Sequence, residues 1–163
     1  MLEALLTILV IVLISSVRFA RRDERIVVMR LGSVIGARGP GLVFVIPPIE
    51  KAIRVKLSGE SVELDGRSFE TADGREVRYS GEVQWKVLDP VKSVMQIQAI
   101  PQTVQEFAAE CLTGATKCVP YSDVGFRKRE FEEQLAEFLR KKCGPCGLEL
   151  MKCTITGVEP VTP

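Results

Sequence analysis

The chain has 163 residues, a formal net charge of +1, no histidine and five cysteines. That length holds one domain of ordinary size. The charge balance excludes a protein that coats nucleic acid through a basic surface. The missing histidines exclude His-based triads, histidine zinc ligands and histidine pH switching. An odd cysteine count excludes a complete internal disulfide framework and favours a reducing compartment.

Thirteen of the first seventeen residues are apolar, and Glu3 is the one charge among them. Residues 1–20 therefore read as a hydrophobic membrane anchor, carried by Leu5, Leu9, Leu13 and Val17, ahead of a charged, soluble-type domain over 21–160. The apolar stretch is at the short end of what crosses a ~30 Å hydrocarbon core. A spanning helix is the first reading, and an interfacial or re-entrant segment the second. Arg18, Arg21 and Arg22 follow the block instead of preceding it. That order argues against a cleaved signal peptide and places the domain on the cytoplasmic side. The same arginines form a juxtamembrane basic collar that can meet anionic head groups.

Beyond the anchor, Glu24 to Leu31 is predicted as a strand. A glycine-rich connection (Gly32, Gly36, Gly39, Gly41) leads to a second strand over Leu42 to Ile46, so the two are expected to pair as a hairpin near the membrane. Pro47 and Pro48 end that strand, and Lys51 to Leu57 is a third. Glu76 to Leu88 alternates cleanly, with Val77, Tyr79, Val83, Trp85 and Val87 on one face and charged residues on the other. This pattern predicts an antiparallel strand with one wet face. Gly81 falls on its buried side, which suggests a bulge or close packing. Its hairpin partner is expected over Ser61 to Thr71, with Asp73-Gly74 as the turn.

Two helices are expected next. The first follows Pro101 and carries Val104, Phe107, Ala108, Cys111 and Leu112 on one face. The second runs from a Ser122 or Asp123 cap to about Lys142. A last strand over Gly147 to Val158 changes apolar parity between Leu150 and Met151, which predicts a bulge there. The sum is an α+β domain, a mostly antiparallel sheet packed with two to three helices.

Cys143-Gly144-Pro145-Cys146 is the motif with most chemistry in it. A CxxC pair can serve dithiol redox chemistry or supply half of a zinc site. It can equally be a structural loop. Here it follows the C-terminal end of a basic helix, where the dipole raises a thiol pKa, and no βαβ pattern surrounds it. Metal binding at Cys143 and Cys146 would need further ligands from Cys111, Cys118 or Cys153. No catalytic constellation and no cofactor motif is present. Gly39-Pro40-Gly41-Leu42 lacks the Lys-Ser/Thr of a phosphate loop and reads as a hairpin turn.

The ordered motifs resemble the stomatin/prohibitin/flotillin superfamily, the SPFH or band 7 domain, and its stomatin-like branch in particular. They are E-R-x-V-x-x-R-L-G at Glu24 to Gly32, G-P-G-L-x-F-x-I-P at Gly39 to Pro47, and a D-G to D-P strand over Asp73 to Pro90. The resemblance implies an N-terminal transmembrane helix followed by a single SPFH domain. It also implies a non-enzymatic membrane scaffold that self-associates or joins other SPFH proteins, and that modulates a membrane protease or channel. It places Pro47 at the lipid surface. Relatives carry a long helix for coiled-coil assembly, and the chain is expected to lack it. The rival expectation is a membrane-tethered thiol redox or metal protein.

Overall fold

The computed structural model describes Glu3 and residues 15–47, 49–64 and 67–160. The predicted anchor lies almost wholly outside the described residues, Leu5, Leu9 and Leu13 included. Among the described residues no helix is long and apolar enough to cross a membrane. Val17, read as part of the anchor, is not helical. It opens strand β1 (Val17–Ala20), because Val17 and Phe19 alternate with Arg18 and Ala20 and the segment pairs with a later strand.

The first half of the domain is a small lobe built from five strands. β2 (Glu24–Arg30), β3 (Ser33–Arg38) and β5 (Glu50–Lys56) form an antiparallel sheet in the order β3-β2-β5. β1 and β4 (Gly41–Phe44) form a separate antiparallel ribbon, with Val17 opposite Phe44 and Phe19 opposite Leu42. The expected hairpin between the strand at 24–31 and the strand at 42–46 does not form. Leu31 and Gly32 both take positive φ, 47° and 87°, and make a two-residue turn that sends the chain straight back as β3. The glycine-rich connection thus contains a strand, with a register shift opposite Val28/Met29. The true turn is Gly39-Pro40-Gly41. Gly39 has φ 109°, and a Cβ there would stand 2.9 Å from the Ala20 Cβ.

β2 explains its own unbroken apolar run. Ile26 and Val28 face a small core with Ala20, Val43 and Val45, while Val27 faces the main core. A strand covered on both sides needs apolar residues at every position.

The second half holds the main sheet. β8 (Glu76–Val87) is its spine, with β9 (Leu148–Pro160) along one edge. Along the other edge lie two short strands, β6 (Glu60–Glu63) and β7 (Ser68–Glu70), in place of the one continuous strand expected. The turn at Asp73-Gly74 is as predicted, closed by the Thr71 N–H donating to the Arg75 carbonyl at 2.8 Å. The buried face of β8 is the predicted one, Val77, Tyr79, Val83, Trp85 and Val87. The β9 bulge also falls where the parity change places it: Gln84 pairs with Lys152 and Trp85 with Leu150, skipping Met151.

Four helices are present among the described residues: α1 (Pro90–Gln96), α2 (Ile100–Thr116), α3 (Tyr121–Val124) and α4 (Lys128–Cys143). α1 is additional to the two expected helices, although Asp89-Pro90 is a cap followed by proline at N1. The Asp89 carboxylate accepts the Val91 and Lys92 N–H groups at 3.0 and 3.1 Å. The helix predicted as continuous from Ser122 to Lys142 is broken after Val124. Val124 turns fully into the core, and Gly125, a poor helix former, precedes the solvent-exposed Phe126. α2 and α4 cover the inner face of β8 through Val104, Ala108, Leu112, Phe131, Leu135 and Leu139. At the centre, the Tyr79 ring meets Phe69 and Phe131 edge-on, and its hydroxyl bonds the Thr116 hydroxyl at 2.8 Å. Burial pushes the Tyr79 pKa up.

Candidate membrane interface

The small lobe places an unusual set of side chains outside. In the β1–β4 ribbon, Val17, Phe19, Leu42 and Phe44 share one face, since directly paired residues and alternate positions point the same way. All four are exposed, Phe19 and Phe44 by 62% each. The opposite face, with Ala20 and Val43, is packed on β2.

One end of the lobe extends this surface. The Val45 N–H donates to the Ser16 carbonyl at 2.8 Å, so Ser16 lies beside Val45. Leu31 at the β2–β3 turn and Ile49 before β5 meet there, with the Leu31 N–H donating to the Ile49 carbonyl at 3.3 Å. Leu31, Ile46, Pro47 and Ile49 are exposed. An apolar crown thus lies at the end of the lobe where Ser16 sits beside Val45. Contiguous exposed apolar surface of this kind marks an interaction face. Of this set, the sequence pattern singles out only Val17 and Pro47. The signal for the rest is present in Leu42-Val43-Phe44-Val45-Ile46, which is apolar on both faces of a strand in a lobe too small to bury both.

A buried acid holds the crown together. Glu50 sits 6% exposed, accepting from Arg30 Nε at 3.1 Å, from Arg30 Nη2, and from the Ile46 N–H at 3.1 Å. It ties the end of β2 to the 46–49 turn. The Arg30 hydrogen bond, then the Ile46 N–H, hold its pKa below the ordinary value of 4.5. A depressed carboxyl pKa gives stability that is present above the unfolded value and lost as pH falls through the folded one. Glu50→Gln is therefore expected to melt earlier than the parent at neutral pH, with the gap closing below about pH 4.5. Denaturant titrations at both pH values, read by Trp85 fluorescence, check it.

The predicted basic collar is divided. Arg18 lines a cavity with Pro47 on the inner side of the ribbon. Arg21 and Arg22 lie at the far end of β1, beside Phe19 and Pro40. Phe19 and Ala20 separate the two groups, a three-residue offset of roughly 10 Å.

Cys143 and Cys146 are far from this end in the fold, at the close of α4. Cys143 is buried, and desolvation, with a smaller contribution from Cys146, pushes its thiol up to about 11. The Cys146 N–H donates to the Cys143 carbonyl at 3.0 Å, and its Sγ donates to the Lys142 carbonyl at 3.6 Å. The next residue, Gly147, accepts from the Leu88 and Asp89 N–H groups at 2.9 and 3.0 Å. The motif is thus a hydrogen-bonded turn that fastens α4 and β9 to the start of α1. A thiol at about 11 is almost wholly protonated at neutral pH, and the thiolate is the nucleophile and metal ligand. Among the described residues no three Cys, Asp or Glu side chains gather where they could hold a metal. In the folded protein, maleimide is expected to label the exposed Cys118 first and Cys143 only after unfolding. Peptide mass spectrometry of a labelling time course measures that order.

The model of the SPFH domain / Band 7 family matches residues 18–161, and the chain belongs to that family. It is 30% identical over 155 residues to a stomatin homolog of Pyrococcus horikoshii, covering 95% of this chain and 58% of that protein. It is 28% identical over 127 residues to stomatin-like protein 1 of Homo sapiens, covering 78% of this chain and 32% of that protein. To stomatin of Mus musculus it is 22% identical over 145 residues, covering 88% and 51%. The chain thus spans little more than half the length of the archaeal relative, and less of the two mammalian ones.

Proposed function

We propose that the protein is a non-enzymatic, membrane-attached scaffold or regulator of the stomatin type. Residues 1–16 anchor it and the β1–β4 ribbon and crown lie on the lipid. The main sheet and helices face the cytoplasm. Self-association, or association with other SPFH proteins, then presents it to a membrane protein partner such as a protease or channel. The observation that carries this reading is the exposed apolar crown at the end of the lobe where Ser16 sits, directly after the apolar sequence of residues 4–14. An exposed apolar face or an apolar sequence by itself would fit many proteins. Their adjacency along the chain supports a lipid-facing end. Family membership supports the non-enzymatic role. The test is fractionation of cells producing the full chain, followed by alkaline carbonate washing. The protein is expected to stay in the membrane pellet. Release into the supernatant by carbonate would remove the integral anchor from the proposal, and a cytosolic protein would overturn it.

A further inference from the structure

Behind the crown is a cavity of about 350 Å³, walled by Arg18 of β1, Pro47, and Glu50, Lys51 and Arg54 of β5. Its floor is apolar, from Ile26, Val45 and Ala52. Glu50 is the one acid in the cavity wall, and Glu24, at the other end of β2, is the acid that Arg54 reaches; both already have partners. Glu50 is held by Arg30 and the Ile46 N–H. Glu24 has Arg54 Nε at 3.7 Å and the Arg21 N–H at 3.3 Å. Arg54 Nη2 also donates to the Phe19 carbonyl at 3.4 Å, which aligns it along the ribbon. Among the described residues Arg18 and Lys51 have no ion-pair partner. The cavity therefore holds surplus positive charge over an apolar floor, one strand deeper than the lipid-facing side chains.

We propose that this cavity binds one phosphate-bearing anion, the phosphodiester of an anionic glycerophospholipid headgroup. Arginine's fork matches phosphate oxygens, and the apolar floor offers them no competing partner. The position also fits. If Leu31, Phe44, Ile46 and Ile49 enter the acyl boundary, Arg18, Lys51 and Arg54 lie at headgroup depth. The inference rests on the membrane reading above, and it adds a particular site and a ligand class.

The test uses the full chain extracted in detergent from phosphatidylglycerol-containing membranes. Native mass spectrometry counts the retained phospholipid, and flotation on phosphatidylcholine vesicles with and without phosphatidylglycerol gives the anionic preference. The parent is expected to keep one phospholipid and to prefer the anionic vesicles. Arg18→Glu/Lys51→Glu is expected to lose the lipid and to lower that preference by about fivefold or more per position. Both side chains are exposed, so the variant is expected to fold, as unchanged Trp85 emission will report. The control Arg21→Glu/Arg22→Glu removes as much charge outside the cavity, and should keep the bound lipid. Glycerol phosphate titrated by NMR separates the sources. Shifts at Arg18 and Lys51 at concentrations that also displace the lipid support a phosphate site filled by lipid. Shifts there with no retained lipid would overturn the headgroup assignment in favour of a soluble phosphate. Equal lipid retention in both variants, with flotation intact, would overturn the site and leave the membrane reading standing. Failure of the parent to float on any vesicle would overturn both.

Discussion

Gly81→Val is expected to leave the domain unable to form its native core, and Gly81→Ala to destabilise it by about 2–3 kcal/mol. A Cβ at this position would stand 2.5 Å from the Thr154 carbonyl oxygen, 3.2 Å from the Ile155 Cα and 3.3 Å from Leu64 Cδ1. Two of those three atoms are backbone, and they belong to the strand hydrogen-bonded to β8 on this side. β9 cannot retreat, because its ladder with β8 continues in both directions from the register shift at Ser80/Gly81. Leu64 cannot retreat far either, since it is buried, and Tyr79 and Val83 flank Gly81 on the same face at 0% exposure. Gly114 is the contrast. It lies in α2 with nothing within 4 Å of a built Cβ. Gly114→Ala is expected to raise stability by about 0.5–1 kcal/mol, through helix propensity and a less flexible unfolded chain. Guanidinium titrations read by the single tryptophan, Trp85, compare the two. If Gly81→Ala proves as mild as Gly114→Ala, close packing is not what keeps glycine at 81.

The same strand shows what the residues disclose by themselves. β8 and β9 are legible because each has one wet face, so burial writes a period of two into the sequence, and even the Met151 bulge appears as a parity change. The strands β3 and β4 are harder to read for a physical reason. A type I′ turn needs positive φ at both central positions, and Leu31-Gly32 meets this with only one glycine. With the turn unrecognised, β3, with Gly36 inside it and Gly32 and Gly39 on either side, passes for a loop. The α3–α4 break is similarly hidden, because Val124 and Phe131 sit on one apolar stripe whether or not the helix pauses between them. For the candidate site, alternation tells which residues share a face but not which face is covered. Val43 and Val45 are buried while Leu42, Phe44 and Ile46 are exposed, yet both sets are apolar. Only the packing of β2 against one side decides between them. The cavity is still less legible, since Arg18 and Arg54 lie 36 positions apart in the sequence and come together because Arg54 reaches from β5 to the Phe19 carbonyl of β1. Conversely, the most conspicuous motif, CGPC, is a turn under an additional helix, because its four letters say nothing about burial.

The second large expected effect concerns the ribbon. Phe44→Trp in vesicle-bound full-length protein is expected to show blue-shifted emission and strong quenching by phospholipids brominated near the top of the acyl chain. Phe126→Trp should show neither. Both parent residues are exposed, Phe126 by 92%, so exposure by itself does not separate them. Their surroundings do. Phe44 shares its face with Val17, Phe19 and Leu42, and Ser16, at the end of the hydrophobic sequence, bonds the same ribbon through the Val45 N–H. Phe126 stands singly between α3 and α4, next to Arg127 and Lys128. Covering Phe19 and Phe44 with lipid is worth roughly 1.5–3 kcal/mol for each ring, so the ribbon should lie on the bilayer for most of the time. Trp85 does not confuse the reading, because at 1% exposure it stays in the core and out of reach of lipid bromine. Adding Phe19→Asp removes one ring and puts a charge in its place, which is expected to lift the ribbon and reduce the quenching of Trp at 44 by about half or more, with the anchor still inserted. Equal quenching at 44 and 126 would mean that the domain tumbles freely at the end of its anchor. Quenching at 44 that survives Phe19→Asp would mean that the anchor alone, and not the apolar face, brings β4 to the lipid.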